Sequence, residues 1–401
     1  MVQNKLILVF LFPFLLTAQT RFIPSTYVAG DQVGNNLFAA ENEIFIGAYR
    51  QKVGTQNQQG ALYVFDITNN TQKQKLTASD GVTIDQFGTY MSMQNKWLAI
   101  AATGDNNTNT DAGSVYMFYK GNNGTYTEKK KITSPDDIGY AQFGFNIELK
   151  DNIMAVGARV TLGGFSSRGA VYLFGKDEGG ADNWGMITTL GPSDAAANLY
   201  FGSSGSVTTG SRSISFGDNN EILFIGASGR WSGRGAVYVF KNISGTWTET
   251  QILTASDNAT GDGFGQTVRY FGGRLFVAAP TKSTYAGKVY IFEDNGSGTW
   301  VQTETIVPND PASNDRFGTA IKPVLNKVYI SAPVSETEGA VYVFSKDVCN
   351  TNTWTQIAKN VIDAPAQQYG NAIDVWGDTI LIGASTSDYD SKTDVGAAFK
   401  L

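Results

Sequence analysis

The sequence predicts an all-β fold, a seven-bladed β-propeller of four-stranded antiparallel blades whose ring is closed by the N-terminal strand. Three observations carry this expectation. One unit recurs seven times in the 401 residues, each copy keeps three markers in the same order, and the chain opens with the strand that its last copy lacks. Fixed-period self-similarity is the signature of repeat architectures, so the markers come first.

The first marker is an aromatic-Gly pair: Phe87-Gly88, Phe143-Gly144, Phe201-Gly202, Phe264-Gly265, Phe317-Gly318 and Tyr369-Gly370, with Val33-Gly34 as a weaker first copy. Their glycines lie 52 to 63 residues apart. The second is an apolar run closing on small residues, as in IFIGA (44–48), MAVGA (154–158) and LFVAA (275–279). The third is Gly followed by an alternating strand, as in GALYVF from Gly60, GAVYVF from Gly235 and GAAFKL from Gly396. A fourth segment precedes the next aromatic-Gly pair and alternates charged and apolar residues, as in WTETQILTASD (247–257). These four are strands A to D.

Period-2 alternation with charges suits a solvated outer strand, where charge also blocks edge-to-edge aggregation. The inner strands are apolar on both faces, so each blade needs a neighbour on either side, which radial repetition supplies. A linear solenoid would need polar end caps instead. Here the ends are complementary: the last copy stops after its third strand, and RFIPSTYVAGDQVG (21–34) lines up with QKLTASDGVTIDQFG (74–88). Residues 21–25 are therefore expected to pair beside Gly396–Leu401 and close the ring.

The marker series is similar to FG-GAP repeats, found in the propellers of integrin α chains and of GPI-specific phospholipase D and in many bacterial surface proteins. The resemblance covers residues 21–401 and implies a propeller with an extracellular binding or adhesion role. Two departures limit it. Integrin-type propellers carry a D-x-D-x-D-G calcium loop between strands A and B, whereas here those turns are short, as at Gln94-Asn95, Asp151-Asn152, Gly272-Gly273 and Gly377-Asp378. The membrane anchor and legs of an integrin α chain have no counterpart in this sequence, and phospholipase activity belongs to a separate domain in that family.

Residues 1–18 have the form of a secretory signal peptide, with Lys5, an apolar stretch from Leu6 to Leu16 and a small-residue site at Ala18. That stretch is too short to span a bilayer, so residues 19–401 are expected as one secreted, extracellular domain without membrane insertion. The net charge of −6 and the scattered 30 Lys and Arg argue against a nucleic-acid partner. There is no histidine, which removes Ser-His-Asp and Cys-His nucleophiles and His-ligated zinc, and the single cysteine, Cys349, allows no intrachain disulfide. The sequence reads as a non-enzyme without a required cofactor, and it fixes no oligomeric state.

In this strand order the B–C and D–A loops share one rim and the A–B and C–D turns share the other. Variable loops on a rigid scaffold are where function concentrates, and aromatic and Arg side chains are the types enriched at binding hot spots. Tyr49, Arg50, Phe165, Arg230, Trp231 and Tyr285, all in B–C loops, are the candidate ligand-binding residues. Asp388, Asp390 and Asp394 form a D-x-D-x-x-x-D cluster, the candidate site for calcium, a hard cation that prefers oxygen ligands. Acids in the D–A loops, Asp80, Asp85, Asp136, Asp194, Asp257, Asp262, Asp310 and Asp315, read mostly as turn formers. Six N-glycosylation sequons occur, at Asn69, Asn106, Asn123, Asn242, Asn258 and Asn295. Asn69, Asn123, Asn242 and Asn295 fall in C–D turns, opposite the aromatic loops. The expected function is an extracellular module binding a protein or glycan on the B–C rim. A structural matrix component, or a glycosidase or lyase using a carboxylate pair about 5 to 9.5 Å apart, is the alternative.

Overall fold

The computed structural model describes residues 19–161, 163–203, 211–335, 338–346, 353–361 and 368–401. Residues 1–18, whose sequence has the form of a signal peptide, and Cys349 lie outside them. Seven four-stranded antiparallel sheets form the ring, in chain order from the axis outward. The innermost strands are Leu37–Ala40, Phe87–Gln94, Asn146–Lys150, Ile214–Phe216, Thr267–Phe271, Ile321–Val324 and Tyr369–Trp376.

The seventh sheet takes its outer strand from the other end of the chain. Thr20–Phe22 pairs antiparallel with Ala398–Lys400, with Arg21 opposite Phe399. The closing strand is shorter than the predicted 21–25 because Pro24 lacks an amide hydrogen and cannot continue the ladder. Phe22 is buried and meets Phe65 of the first blade edge-on at 5.3 Å, so closure also joins blades seven and one through packing.

Blade-to-blade packing follows from the repeated markers. The amide of each aromatic-Gly pair donates to the carbonyl just before the strand C glycine of the preceding blade. Phe87 donates to Gln59 (2.8 Å), Phe143 to Ala112 (2.9 Å), Phe201 to Arg168 (3.0 Å), Phe264 to Arg234 (3.1 Å), Phe317 to Ala286 (3.0 Å) and Tyr369 to Glu338 (2.9 Å). Val33 donates to Val395 at 2.9 Å and completes the ring. The aromatic ring then packs edge-on against the strand C Tyr and Phe of its own blade, as Phe264 does on Tyr290 (5.4 Å) and Phe292 (5.9 Å). Each such pair contributes roughly 0.5–1.5 kcal/mol beyond burial.

The strand C glycine is required at this seam. Gly235 has φ +86°, and a Cβ there would collide with the carbonyl oxygen of Phe264. Outer strands show the expected alternation, as in Tyr126–Thr133, where buried and exposed positions interleave. Gly235→Ala is expected to cost about 3 kcal/mol or more, combining left-handed strain with a forced backbone shift. Gly245→Ala, at φ +90° with nothing within 4 Å of its Cβ, should cost only about 1–2 kcal/mol. Guanidinium denaturation of the two variants measures the difference, and equal losses would contradict the seam.

Candidate functional site

The D–A loops and B–C loops meet on one rim, and their acids are tied into the scaffold. In blades two to five the strand C tyrosine donates to an aspartate of the loop entering that blade. Tyr116 reaches Asp80 (2.7 Å), Tyr172 reaches Asp136 (2.6 Å), Tyr238 reaches Asp194 (2.6 Å) and Tyr290 reaches Asp257 (2.6 Å). Burial, and then the neighbouring carboxylates, push these phenols well above their ordinary range. In the first blade Thr26 takes the aspartate's place, 3.1 Å from Tyr63, so the N-terminal segment forms a complete entering loop.

Five residues later a second aspartate caps its own turn. Asp31 accepts the amide of Val28 (2.8 Å), Asp85 that of Val82 (2.6 Å), Asp262 that of Ala259 (2.8 Å) and Asp315 that of Ala312 (3.0 Å). Cations finish the network: Lys131 joins Asp80 and Asp105 at 2.8 and 2.7 Å, and Lys282 joins Asp262 at 2.8 Å. Partial burial works against Asp80, yet Lys131 and Tyr116 hold its carboxyl below the usual range. Asp85 moves the other way, to about 6, because it is desolvated and only partly compensated by the Val82 amide, with the Asp105 charge adding to the shift.

The predicted ligand-binding residues separate into two groups. Tyr49 and Arg230 are buried in the scaffold, whereas the contact role read for them needs exposure. Tyr49 is buried and donates to Gln32 at 2.6 Å. Arg230 is buried beneath Trp231, 3.5 Å from its ring centroid, and is paired with Asp194. Phe165, Trp231 and Tyr285 are 40%, 50% and 45% exposed, and Tyr140, which the sequence reading passed over, is 70% exposed. They come from consecutive loops between blades two and five. Beside Tyr285 a recess of about 290 Å³ lies between blades four and five, bordered by Tyr200, Gly229, Gly261 and Arg316. Arg50 is exposed and lies over the Tyr49 ring, away from this arc.

Asp388, Asp390 and Asp394 do not converge on a cation position. Asp388 accepts the Asp394 amide (3.0 Å) and Asp390 accepts the Tyr27 hydroxyl (3.1 Å). Among the described residues no group of three acidic or thiol side chains has metal-binding geometry. The spacing closes a loop through the Asp388–Asp394 contact. The sequons also have a local role. The side-chain oxygens of Asn69, Asn123 and Asn295 accept the amide and hydroxyl of their own Thr71, Thr125 and Ser297. Asn-x-Ser/Thr is thus the turn chemistry of these C–D hairpins. Asn242 accepts the Gly245 amide, Asn106 that of Asp111 in a B–C loop, and Asn258 lies in a D–A loop.

The structure adds a second site that the sequence reading missed. A cavity of about 630 Å³ occupies the axis at the A–B rim and is lined by all seven inner strands. One register position recurs in every blade, defined by its partner on strand B: Phe38, Ser92, Glu148, Ser215, Arg269, Lys322 and Asp374. Inner strands have no neighbour on their axial edge, so their amides need other acceptors. Ser92 accepts from Leu149 (3.0 Å), Ser215 from Tyr270 (3.1 Å) and Asp374 from Ala39 (2.7 Å), each serving the next blade around the ring. The remaining charges sit in the same layer: Arg269 faces Glu148 at 3.3 Å, and Lys322 pairs with Asp374. Arg212 reaches Asn36 of the first blade at 3.4 Å from the fourth. A charge inside an otherwise apolar inner strand, as in Ile147-Glu148-Leu149 or Val268-Arg269-Tyr270, was the available signal.

The rise of Asp85 sets a pH dependence. A carboxyl whose folded pKa lies above its unfolded value stabilises the fold when protonated, and that contribution is lost as pH rises from about 3.8 through about 6. Asp85→Asn should therefore flatten the fall in melting temperature between pH 4 and pH 7.5. Parallel melting curves of the two proteins measure it, and identical pH profiles would contradict the assignment.

No curated protein matches the chain in sequence. Among solved structures, the periplasmic gluconolactonase PpgL of Pseudomonas aeruginosa is similar at a TM-score of 0.54 and 11% identity, over 92% of this chain and 90% of that one. At that identity the likeness concerns fold alone. Four segments match the FG-GAP repeat, residues 70–118, 126–174, 247–292 and 300–344. Each runs from a strand D through strands A, B and C of the following blade, so the sequence repeat is offset by one strand from the structural blade. That offset is what makes ring closure by Thr20–Phe22 necessary, and with the seven blades it identifies the chain as an FG-GAP repeat β-propeller.

Proposed function

We propose that this propeller is a secreted, non-catalytic binding module that captures a protein or glycan on its B–C/D–A rim. The observation that carries the reading is the arc of exposed aromatics, Tyr140, Phe165, Trp231 and Tyr285, on loops of successive blades. Large apolar side chains cost solvation when left in water, and aromatics supply contact area at small entropic cost, which is why they anchor interfaces and stack on sugars. The buried layer beneath keeps the arc in place: Arg230 holds the underside of Trp231 while bound to Asp194.

The acids of the same rim support binding over hydrolysis. A glycosidase needs one carboxylate free to ionise and another free to donate a proton. Asp80, Asp136, Asp194 and Asp257 instead accept tyrosine hydroxyls, and Asp31, Asp85, Asp262 and Asp315 cap turns. Export is supported by the pattern of residues 1–18, and glycans on Asn69, Asn123, Asn242 and Asn295 would occupy the opposite rim and leave the arc open.

Binding of the purified protein to a printed glycan array and to immobilised extracellular-matrix proteins tests this reading. Trp231→Ala and Tyr285→Ala are each expected to weaken the captured signal about tenfold or more with the melting temperature unchanged. Arg230→Ala should lower the melting temperature as well, since it unpairs Asp194 and unseats Trp231. Absence of binding on both surfaces, or binding indifferent to Trp231 and Tyr285, would overturn the proposal.

A further inference from the structure

We infer that the axial cavity at the A–B rim is a separate binding site for a small carboxylate ligand of sugar size, gripped by Arg212 and Arg269. The site lies on the side opposite the aromatic arc and does not depend on the reading given to that arc.

The charge balance of the cavity is the first argument. The chain carries a net charge of −6, yet Lys150, Arg212, Arg269 and Lys322 all border this space, against Glu41, Glu148 and Asp374. The scaffold requires only an acceptor at the recurring axial position, which serine provides in blades two and four. Arg269 and Lys322 exceed that requirement, and Arg212 approaches from outside the register.

The second argument is donor accounting. Asp374 is committed to Lys322 and to the amides of Ala39 and Val375. Glu148 meets Arg269 through one nitrogen at 3.3 Å, longer than the roughly 2.7–2.9 Å of a strong charge-assisted bond. Among the described residues Arg212 has no ion pair, and its contact with Asn36 is 3.4 Å. A guanidinium offers five donors in a planar fork that matches a carboxylate, and the two together hold far more donors than the scaffold uses. Desolvation, followed by the mutual repulsion of Arg212 and Arg269, pulls the Arg269 pKa down, so an anion placed between them would relieve both costs.

Size and wall chemistry define the remainder of the ligand. About 630 Å³ suits a molecule of mono- or disaccharide dimensions. Phe271 and Trp376 stand at the mouth, 38% and 40% exposed, and the Trp376 indole is oriented by Asn42 at 3.2 Å. Aromatic faces beside an arginine pair fit a ring with an apolar face and a carboxylate, the chemistry of a uronic acid.

Isothermal titration with D-glucuronate, D-glucose and inorganic phosphate tests the inference on the intact protein. Glucuronate should bind saturably with a Kd of about 1 mM or tighter, more weakly as salt is raised. Glucose should not bind, and phosphate should bind less tightly than glucuronate. Arg212→Gln and Arg269→Gln should each weaken glucuronate about tenfold and leave glycan-array or matrix capture by the rim unchanged. Should either variant unfold, the salt dependence and the glucose comparison on the parent protein decide the matter. No glucuronate binding, equal binding of glucose, tighter binding of phosphate, or folded variants that bind as the parent does would each overturn the inference.

Discussion

The structure depends on a hydrogen bond repeated seven times, from the amide of an aromatic-Gly pair to the carbonyl before the strand C glycine of the preceding blade. Six copies join residues 28 to 33 apart in sequence, and the seventh, where Val33 meets Val395, joins the two ends of the chain. Two glycines make it feasible. The strand C glycine admits the next blade's carbonyl, as Gly235 admits that of Phe264, and Gly226 on strand B admits that of Gly265. Where strand B carries Ala or Ser instead, as at Ala278 and Ser331, the contact passes to their Cβ atoms against Gly318 and Gly370. Backbone approach this close leaves room for the aromatic ring to fill the wedge between strands A and C.

Both faces of the ring inherit their chemistry from this seam. On the B–C side, blades held this close bring the strand C tyrosines of blades two to five against the loop entering their own blade, and the aspartates there are consumed as acceptors. What remains for a ligand is aromatic surface. On the A–B side the inner strands converge with their axial edges unpaired, and the layer that satisfies those edges must come from the neighbouring blade. Three blades meet that demand with Ser92, Ser215 and Asp374. Of the other four, one carries Phe38 and three place Glu148, Arg269 and Lys322 at the same level, giving a polar cavity in an otherwise apolar ring.

The ring and its closure were legible in the sequence because their determinants are local: Phe-Gly, Gly-Ala-Val-Tyr and the match of residues 21–34 to 74–88. Even the role of Asp31 follows from its alignment with Asp85. The fate of the loop residues was not legible. Arg230 and Trp231 are adjacent in the chain, yet one is buried and the other half-exposed, because Asp194 arrives from the preceding loop to claim the guanidinium. Asp388, Asp390 and Asp394 have ligand-like spacing, but Tyr27 and the Asp394 amide intervene from the loop itself and from the other end of the chain. The axial site is least legible in the sequence because it assembles residues from seven separate strands.

Native-state hydrogen exchange tests the seam most directly. Amides whose bonds hold blades together can open only when the ring opens, so Val33, Phe87, Phe143, Phe201, Phe264, Phe317 and Tyr369 should exchange together, at the free energy of global unfolding. Val33 is the decisive member, since it alone reports the closure. If these amides exchange as fast as those of the exposed C–D turns, or if Val33 and Tyr369 exchange well ahead of the other five, the seam does not hold the propeller together.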